Sequence, residues 1–408
     1  MSERYDLVIV GAGIHGVGVA QAAAARGHSV LVLEQRGIAH GTSSRSSKLI
    51  HGGLRYLETA QLGLVYECLR ERARLLRLAP ELVKLRHFHF PVYRHTLRRP
   101  WQLRAGLSLY ALLGGVTQAS RFTTVPMRLW PALDGLETRD LQAVFRYQDA
   151  QTDDAALTRA VMGSALALGA ELRVPATFLG ADLEAREVTV HYDCAGETRS
   201  CSAHVLVNAA GPWVNAVLSK VRPAPSALDI DLVQGAHILV PGTLTQGIYY
   251  LEAPRDRRAV FVMPWQSDTL VGTTETPYRG DPDAVHALDA EKTYLRETLE
   301  RYFPAYASQT GTRILTAYAG LRVLPAGGGA PFTRSRETVL HVDQPARPRM
   351  LSIYGGKLTA YRATADKVMH RLARSLPRRT PLADTRTLEL RSEPEESLLL
   401  SDERNPPK

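Results

Sequence analysis

Asp6-Leu-Val-Ile-Val10-Gly11-Ala-Gly13-Ile-His-Gly16-Val-Gly18 is a short β-branched apolar run that breaks into closely spaced glycines. An alanine-rich stretch from Val19 to Arg26 follows, then Gly27, then a second apolar run, Val30 to Leu33, ending at Glu34. Strand, glycine turn, helix with a glycine stop, strand, acid: this order predicts a βαβ unit. Gly11 permits the tight turn, Gly13 lets a pyrophosphate approach the backbone, and Gly16 allows close packing of helix on strand. From Ile14 on, the helix N-terminus offers unpaired N–H groups and partial positive charge to phosphates. Glu34, 18 residues past Gly16, stands where a carboxylate accepts hydrogen bonds from an adenosine ribose. A bare glycine fingerprint is weak evidence, but here strand, helix and distal acid accompany it, and dinucleotide binding is the expectation.

The next segment departs from a simple parallel α/β continuation. His40-Gly-Thr-Ser-Ser-Arg-Ser-Ser-Lys-Leu-Ile-His-Gly-Gly-Leu-Arg-Tyr56 is a long polar loop, with seven hydroxyl or basic side chains between Thr42 and Lys48. Such a loop suits a cofactor larger than one nucleotide, whose reactive end lies far from the adenine.

From this loop onward the chain resembles the FAD-dependent glycerol-3-phosphate dehydrogenases. The resemblance begins with Thr42 to Glu58. It continues through Tyr147-Gln-Asp-Ala-Gln-Thr-Asp-Asp154, Val205-Leu-Val-Asn-Ala-Ala-Gly-Pro-Trp213 and Gln234-Gly-Ala-His237. Met263-Pro-Trp265, Gly272-Thr-Thr-Glu275, Ala319-Gly-Leu-Arg322, Ser335-Arg-Glu337 and Gly355-Gly-Lys-Leu-Thr-Ala-Tyr-Arg362 follow in family order. It implies an α/β fold, α+β overall: a Rossmann-type FAD-binding domain with an inserted antiparallel-sheet substrate domain.

The resemblance also implies roles. Gly11, Gly13, Ile14, Gly16 and Glu34 would hold the ADP part of FAD. Thr42, Ser43, Ser47, Lys48 and Leu49 would line the pyrophosphate and flavin ring, with Ala210-Gly211 beside them. Gly356, Lys357, Leu358 and Thr359 would face the pyrimidine end of the flavin, where hydride arrival leaves negative charge. Arg55, Tyr56, Arg322, Arg336 and Lys357 would bind a small phosphorylated substrate. An arginine fork suits phosphate because it gives two parallel charge-assisted bonds. Arg55 and Arg322 would join His51 and His237 at the reacting carbon, the histidines being the candidate bases. The implied reaction oxidises sn-glycerol 3-phosphate to dihydroxyacetone phosphate by hydride transfer to flavin N5, with a quinone as electron acceptor. Two alternatives stay open: a flavin oxidase or dehydrogenase of another small anionic hydroxy or amino acid, and a flavin-binding protein without turnover.

The 408 residues suggest about two domains. The FAD-binding domain is expected to be discontinuous, over 1–80, 150–220 and 345–375. The substrate-binding domain would cover 81–149 and 221–344, and a C-terminal tail 376–408. Family members carry a helical C-terminal domain where an acidic, proline-bearing tail is read here. His15 in the fingerprint and Glu275 after Gly-Thr-Thr also depart from the family pattern of asparagine and aspartate.

With 45% apolar and 22% charged residues, disordered and collagen-like classes are excluded. Fifty basic against 41 acidic residues give +9, which favours anionic partners. Cys68, Cys194 and Cys201 lack CxxC spacing, so neither a disulfide framework nor a metal site is expected. No apolar run nears the ~18 residues of a membrane span, and a cytoplasmic protein is expected. Between Arg70 and Arg104, ten Lys/Arg face only Glu71 and Glu81, leading into the amphipathic stretch Trp101–Leu113. This segment suits peripheral docking on the anionic inner face of the membrane. A core-packed helix with a solvated basic face is the favoured alternative. Nucleic-acid binding is not expected, because aromatic residues do not interleave the basic ones.

Overall fold

The computed structural model describes residues 3–185, 187–307, 311–327 and 337–392. The opening unit forms as the glycine pattern predicts: β1 (Glu3–Val10), α1 (Ile14–Ala25) and β2 (Val30–Leu33), with β1 and β2 parallel. Alternation decides which way each side chain of β1 faces. Leu7 and Ile9 pack towards α1 and the helices Asp154–Ala167 and Tyr361–Leu372, while Val8 and Val10 enter a second apolar cluster with Phe178, Val190 and Tyr192. Both faces are covered, which explains why the strand reads as an unbroken apolar run.

Parallel neighbours extend this sheet: Glu171–Arg173 beside β2, Glu197–Asn208 beside β1, and Met350–Tyr354 beyond that. The long strand Glu197–Asn208 does two jobs. Its first half pairs antiparallel with Val188–Cys194 in a hairpin, and its second half pairs parallel with Met350–Tyr354.

A second, ten-stranded sheet is mostly antiparallel. Its centre is Ile230–Val240 next to Asp268–Gly272, then Ala259–Trp265, Ile248–Glu252, Val83–Tyr93 and Leu141–Thr152. Thr316–Pro325 lies along the other side of Ile230–Val240, with Arg322 opposite Val233.

The sheets correct the expected domain limits at three places. Leu141–Thr152 crosses the 149/150 limit and stays in the second sheet, because its pairing with Val83–Tyr93 runs on to Thr152. Leu49–Ile50 also joins that sheet, opposite Gln151 and Ala150. Val339–Val342 belongs to the first sheet, as the antiparallel partner of Met350–Tyr354. Of the expected tail, residues up to 392 lie against the first sheet's helices. Leu382 and Ala383 donate to the Ala25 carbonyl, and Leu390 to that of Leu78.

A buried ion pair fastens the helix behind the Gly355-Gly356-Lys357 loop. Arg362 forks onto both carboxylate oxygens of Glu71, at 2.7 and 2.8 Å, joining Tyr361–Leu372 to the helix Leu62–Leu78. Such a bidentate pair fixes direction as well as distance.

His89, 2% exposed, stacks on Tyr249 with ring centroids 5.1 Å apart. Burial, helped by the Arg146 cation, pushes its pKa down to about 4. The folded protein therefore keeps this ring neutral, whereas the unfolded chain takes up a proton near the ordinary imidazole value of about 6.5. Its contribution to stability is complete above that value and is lost as pH falls towards 4. The expected outcome is a melting temperature that drops between pH 7 and 4.5. In His89→Phe, which keeps an aromatic ring against Tyr249, the drop should be smaller. An identical pH slope in the variant would contradict the assignment.

Candidate active site

The fingerprint turn is sterically committed. Gly11 has φ +102°, and a Cβ on Gly16 would lie 1.9 Å from the Gly11 carbonyl oxygen. Only glycine at both places lets α1 approach β1 this closely and aim its N-terminus past the sheet edge. Beyond that edge a cavity of about 480 Å³ opens, with walls drawn from both sheets.

One end of the cavity is bounded by Gly11, Gly13, Ile14 and Glu34. Glu34 is held in place, its Oε2 accepting from Ala12 N at 2.8 Å and its Oε1 from Arg36 N at 2.9 Å. A Cβ on Gly13 would stand 3.2 Å from Ser43 Oγ, so the bare glycine keeps the approach to the helix N-terminus open. A glycine cradle, the N-terminus of α1 at the cavity wall and an anchored carboxylate together fit the ADP end of FAD. Gly16 does not line the cavity; its work is the packing just described.

The loop after His40 forms the next wall. Thr42, Ser43, Ser47 and Leu49 all face the cavity. Ser43 Oγ accepts from Ile14 N at 2.9 Å, and Thr42 Oγ1 donates to the Leu321 carbonyl at 2.7 Å. Lys48 corrects the expectation of a flavin contact. Its ammonium pairs with Asp154 and donates to the Ser44 carbonyl, because the N-terminus of the helix Asp154–Ala167 comes up beneath the loop. A buried cation seeks a carboxylate before it seeks a cavity.

Ala210 and Gly211 line the cavity beside Trp213, and Gly356, Lys357, Leu358 and Thr359 close the far end. The Lys357 ammonium sits 3.4 Å from the centre of the Tyr56 ring, a close cation–π contact. Thr359 Oγ1 accepts from His51 N at 3.1 Å, tying the two loops together.

Expected substrate residues gather at this end. Arg55 and Arg322 share one carboxylate, Glu275, whose Oε1 lies 3.9 and 3.5 Å from their guanidinium nitrogens. A third guanidinium, Arg258, is 2.7 Å from Glu275 Oε2. All four side chains line the cavity, and Glu275 is only 4% exposed. Among the described residues, three guanidinium charges against this carboxylate leave two positive charges, and Lys357 adds a third. That surplus suits a phosphate dianion. Arg336 lies outside the described residues. A Cβ on Gly235 would be 2.9 Å from an Arg322 nitrogen, which explains the glycine in Gln234-Gly-Ala-His237.

The two candidate bases differ. His51 lines the cavity, with its ring edge-on to Phe261 at 6.4 Å. His237 is 1% exposed, stacks on Tyr318 at 4.9 Å, and has Nε2 2.9 Å from Ser47 Oγ. Burial, then the Arg322 and Lys48 cations, push its pKa down to about 3. It is a neutral ring over the ordinary working range.

Arg258 was missed from the sequence, and Glu275 was seen only as a departure from pattern. Arg258 immediately precedes the strand Ala259–Trp265, but Arg255 and Arg257 in the same loop offer the same local signal. Only the strand pairing shows which one turns inward. Among the described residues no cluster of metal-ligating side chains occurs.

Residues 6–362 match the family described as FAD dependent oxidoreductase. D-erythritol 1-phosphate dehydrogenase of Brucella abortus (strain 2308) is 36% identical over 380 residues, covering 92% of this chain and 75% of the relative. Aerobic glycerol-3-phosphate dehydrogenase of Escherichia coli (strain K12) is also 36% identical over 380 residues, covering 91% and 74%. The glycerol-3-phosphate dehydrogenase of Pseudomonas aeruginosa is 37% identical over 382 residues, covering 91% and 72%. Among solved structures, the glycerol-3-phosphate dehydrogenase from Bacillus halodurans complexed with FAD superposes with a TM-score of 0.71. That match has 24% identity and covers 95% of this chain and 68% of the other. The L-α-glycerophosphate oxidase from Mycoplasma pneumoniae with FAD bound gives 0.72 at 16% identity, over 92% and 97%. With its cradle, cavity and sequence kinship in agreement, the chain belongs to the FAD-dependent oxidoreductase family, with FAD as its cofactor and the glycerol-3-phosphate dehydrogenases as its kin within that family.

Proposed function

We propose that the protein oxidises sn-glycerol 3-phosphate to dihydroxyacetone phosphate. The observation that carries this reading is the cluster of Arg55, Arg258 and Arg322 about Glu275, in the same cavity as the FAD cradle. When bound, FAD supplies the acceptor for the hydride leaving the substrate carbon. The chain's own residues do the rest. Arg55, Arg258 and Arg322 grip the phosphate, and Arg336 is proposed to join them. Tyr56 and Lys357 flank the polyol, so the secondary alcohol is already oriented when reaction begins. His51 is the proposed proton acceptor for the hydroxyl; His237 lines the cavity too, but its Nε2 is engaged by Ser47 Oγ. His237, stacked on Tyr318 and bonded to Ser47, positions the loop of Ser47. D-erythritol 1-phosphate shares the phosphate and hydroxyl chemistry and is the second substrate to test, because a relative of equal identity is named for it.

The test is an anaerobic titration of the yellow holoprotein. Glycerol 3-phosphate should bleach the oxidised-flavin band. In Arg322→Ala the half-bleaching concentration should rise at least tenfold with FAD retained, as loss of a charge-assisted pair of about 1.5–3 kcal/mol requires. No bleaching in the wild type, or an unchanged concentration in the variant, overturns the reading.

A membrane quinone is the proposed electron acceptor, with the cytoplasmic membrane face as the docking place. Among the described residues no helix is long and apolar enough to cross a membrane. The helix Pro100–Leu113 instead shows both properties weighed from its sequence. Leu103, Leu107 and Tyr110 pack inward, while Trp101 is 70% exposed and Leu112 65%. Leu97, Val116, Met127 and Leu129 are exposed on the same stretch, which holds six arginines and no acid from Arg94 to Leu129. Apolar side chains among cations are what an anionic lipid surface binds. The protein should sediment with vesicles of anionic phospholipid at low salt, and Trp101→Glu combined with Met127→Glu should cut the bound fraction severalfold without altering flavin bleaching. Wild-type protein that stays in the supernatant refutes the docking.

A further inference from the structure

We infer that His15 donates a hydrogen bond to bound FAD through its Nε2–H, and so joins the fingerprint helix to the flavin-side loop as a cofactor-holding residue. The inference rests on FAD as the resident cofactor and is independent of the choice of substrate.

His15 is the second residue of α1, and it lines the cavity together with Gly355 and Gly356. The fingerprint helix and the Gly355-Gly356 loop touch here. A Cβ on Gly356, whose φ is +115°, would lie 2.0 Å from His15 Nε2. The ring edge is therefore seated directly on that glycine, and a larger residue at 356 would drive it out.

The two ring nitrogens are not equivalent. Nδ1 is fully buried and has no hydrogen-bond partner among the described residues. A buried N–H without an acceptor is costly, and orphaned donors are rarer than under-used acceptors. The proton accordingly belongs on Nε2, at the edge that meets the loop and the cavity. Burial pushes the pKa of this histidine down to about 4, with no neighbouring charge opposing it. Near neutral pH the ring therefore carries one proton, and that proton is the donor at Nε2. FAD is rich in acceptors, from ribityl hydroxyls to flavin carbonyls and ring nitrogens. The asparagine that the family pattern leads one to expect at this position also offers a neutral N–H donor, on a shorter arm.

The test measures FAD binding itself. Apoprotein of the wild type, His15→Asn and His15→Leu is titrated with FAD, and flavin fluorescence quenching gives the dissociation constant. His15→Leu, similar in bulk but without a donor, should bind FAD about tenfold more weakly, while His15→Asn should stay within about threefold of the wild type. Nitrogen-15 NMR of histidine-labelled wild-type holoprotein should show the His15 proton on Nε2. It decides the question even if the leucine variant fails to fold. Equal affinity in a folded leucine variant, or a proton on Nδ1, overturns the inference. Failure of glycerol 3-phosphate to bleach the flavin would overturn the substrate reading and leave this one intact.

Discussion

Arg55, Arg258 and Arg322 share a cavity only because Glu275 stands among them, 2.7 to 3.9 Å from each. Two like charges 4 Å apart repel by about 4 kcal/mol at an effective dielectric of about 20. A mostly buried carboxylate offsets part of that repulsion and gives all three forks a common direction. The cluster still holds two surplus charges. An incoming dianion completes the neutralisation that Glu275 begins, so the interaction that stabilises the empty cleft also defines what will fill it. The three arginines come from the short 3-10 helix Leu54–Leu57, from the residue just before Ala259–Trp265 and from Thr316–Pro325. Their convergence is a property of the whole fold.

That convergence needs walls that do not drift. The loop after His40 grows out of the first sheet, yet it is pinned to the second. Thr42 bonds the Leu321 carbonyl, Ser47 meets His237, and Tyr318 donates to the Ser46 carbonyl at 3.0 Å. From behind, Lys48 and Asp154 hold the same loop against a helix of the first layer. Polar bonds on one side and an ion pair on the other fix a segment with little apolar content of its own. Orientation of this kind is worth several kcal/mol of an activation barrier when two reactants must be aligned.

The glycine turn was legible in the sequence because its cause is local. Gly11 and Gly16 are five residues apart, and their contact follows from one turn of backbone. Arg322 and Gly356, named through their motifs, both line the cavity. Lys48 was misread because Asp154, which captures it, is 106 residues away. The sheet boundaries depart from the expected domain limits for a related reason: nothing local in Leu141–Thr152 marks a break at 149, and only its partner strand shows which sheet it serves. Arg258 was invisible for want of any local mark that separates it from Arg255 and Arg257. What sequence withheld was the pairing of distant charges, and that is where most of the site's chemistry lies.

The cleft also divides its polar groups by how they respond to pH. Its positive charge is carried by the Lys357 ammonium and by guanidinium groups, and the guanidinium groups keep their proton at any physiological pH. Two of its rings, His15 and His237, are held neutral by burial. Permanent charge binds the anion, while uncharged imidazoles offer hydrogen bonds without adding to the field. Were those rings protonated, two more cations would stand beside Arg322 and the flavin loop, and Glu275 alone could not balance them. Desolvation thus protects the charge ratio that the arginine cluster sets. The apolar packing around His237, from Tyr318 on one face and Gly272 hard against its edge, becomes part of the electrostatic design of the anion site.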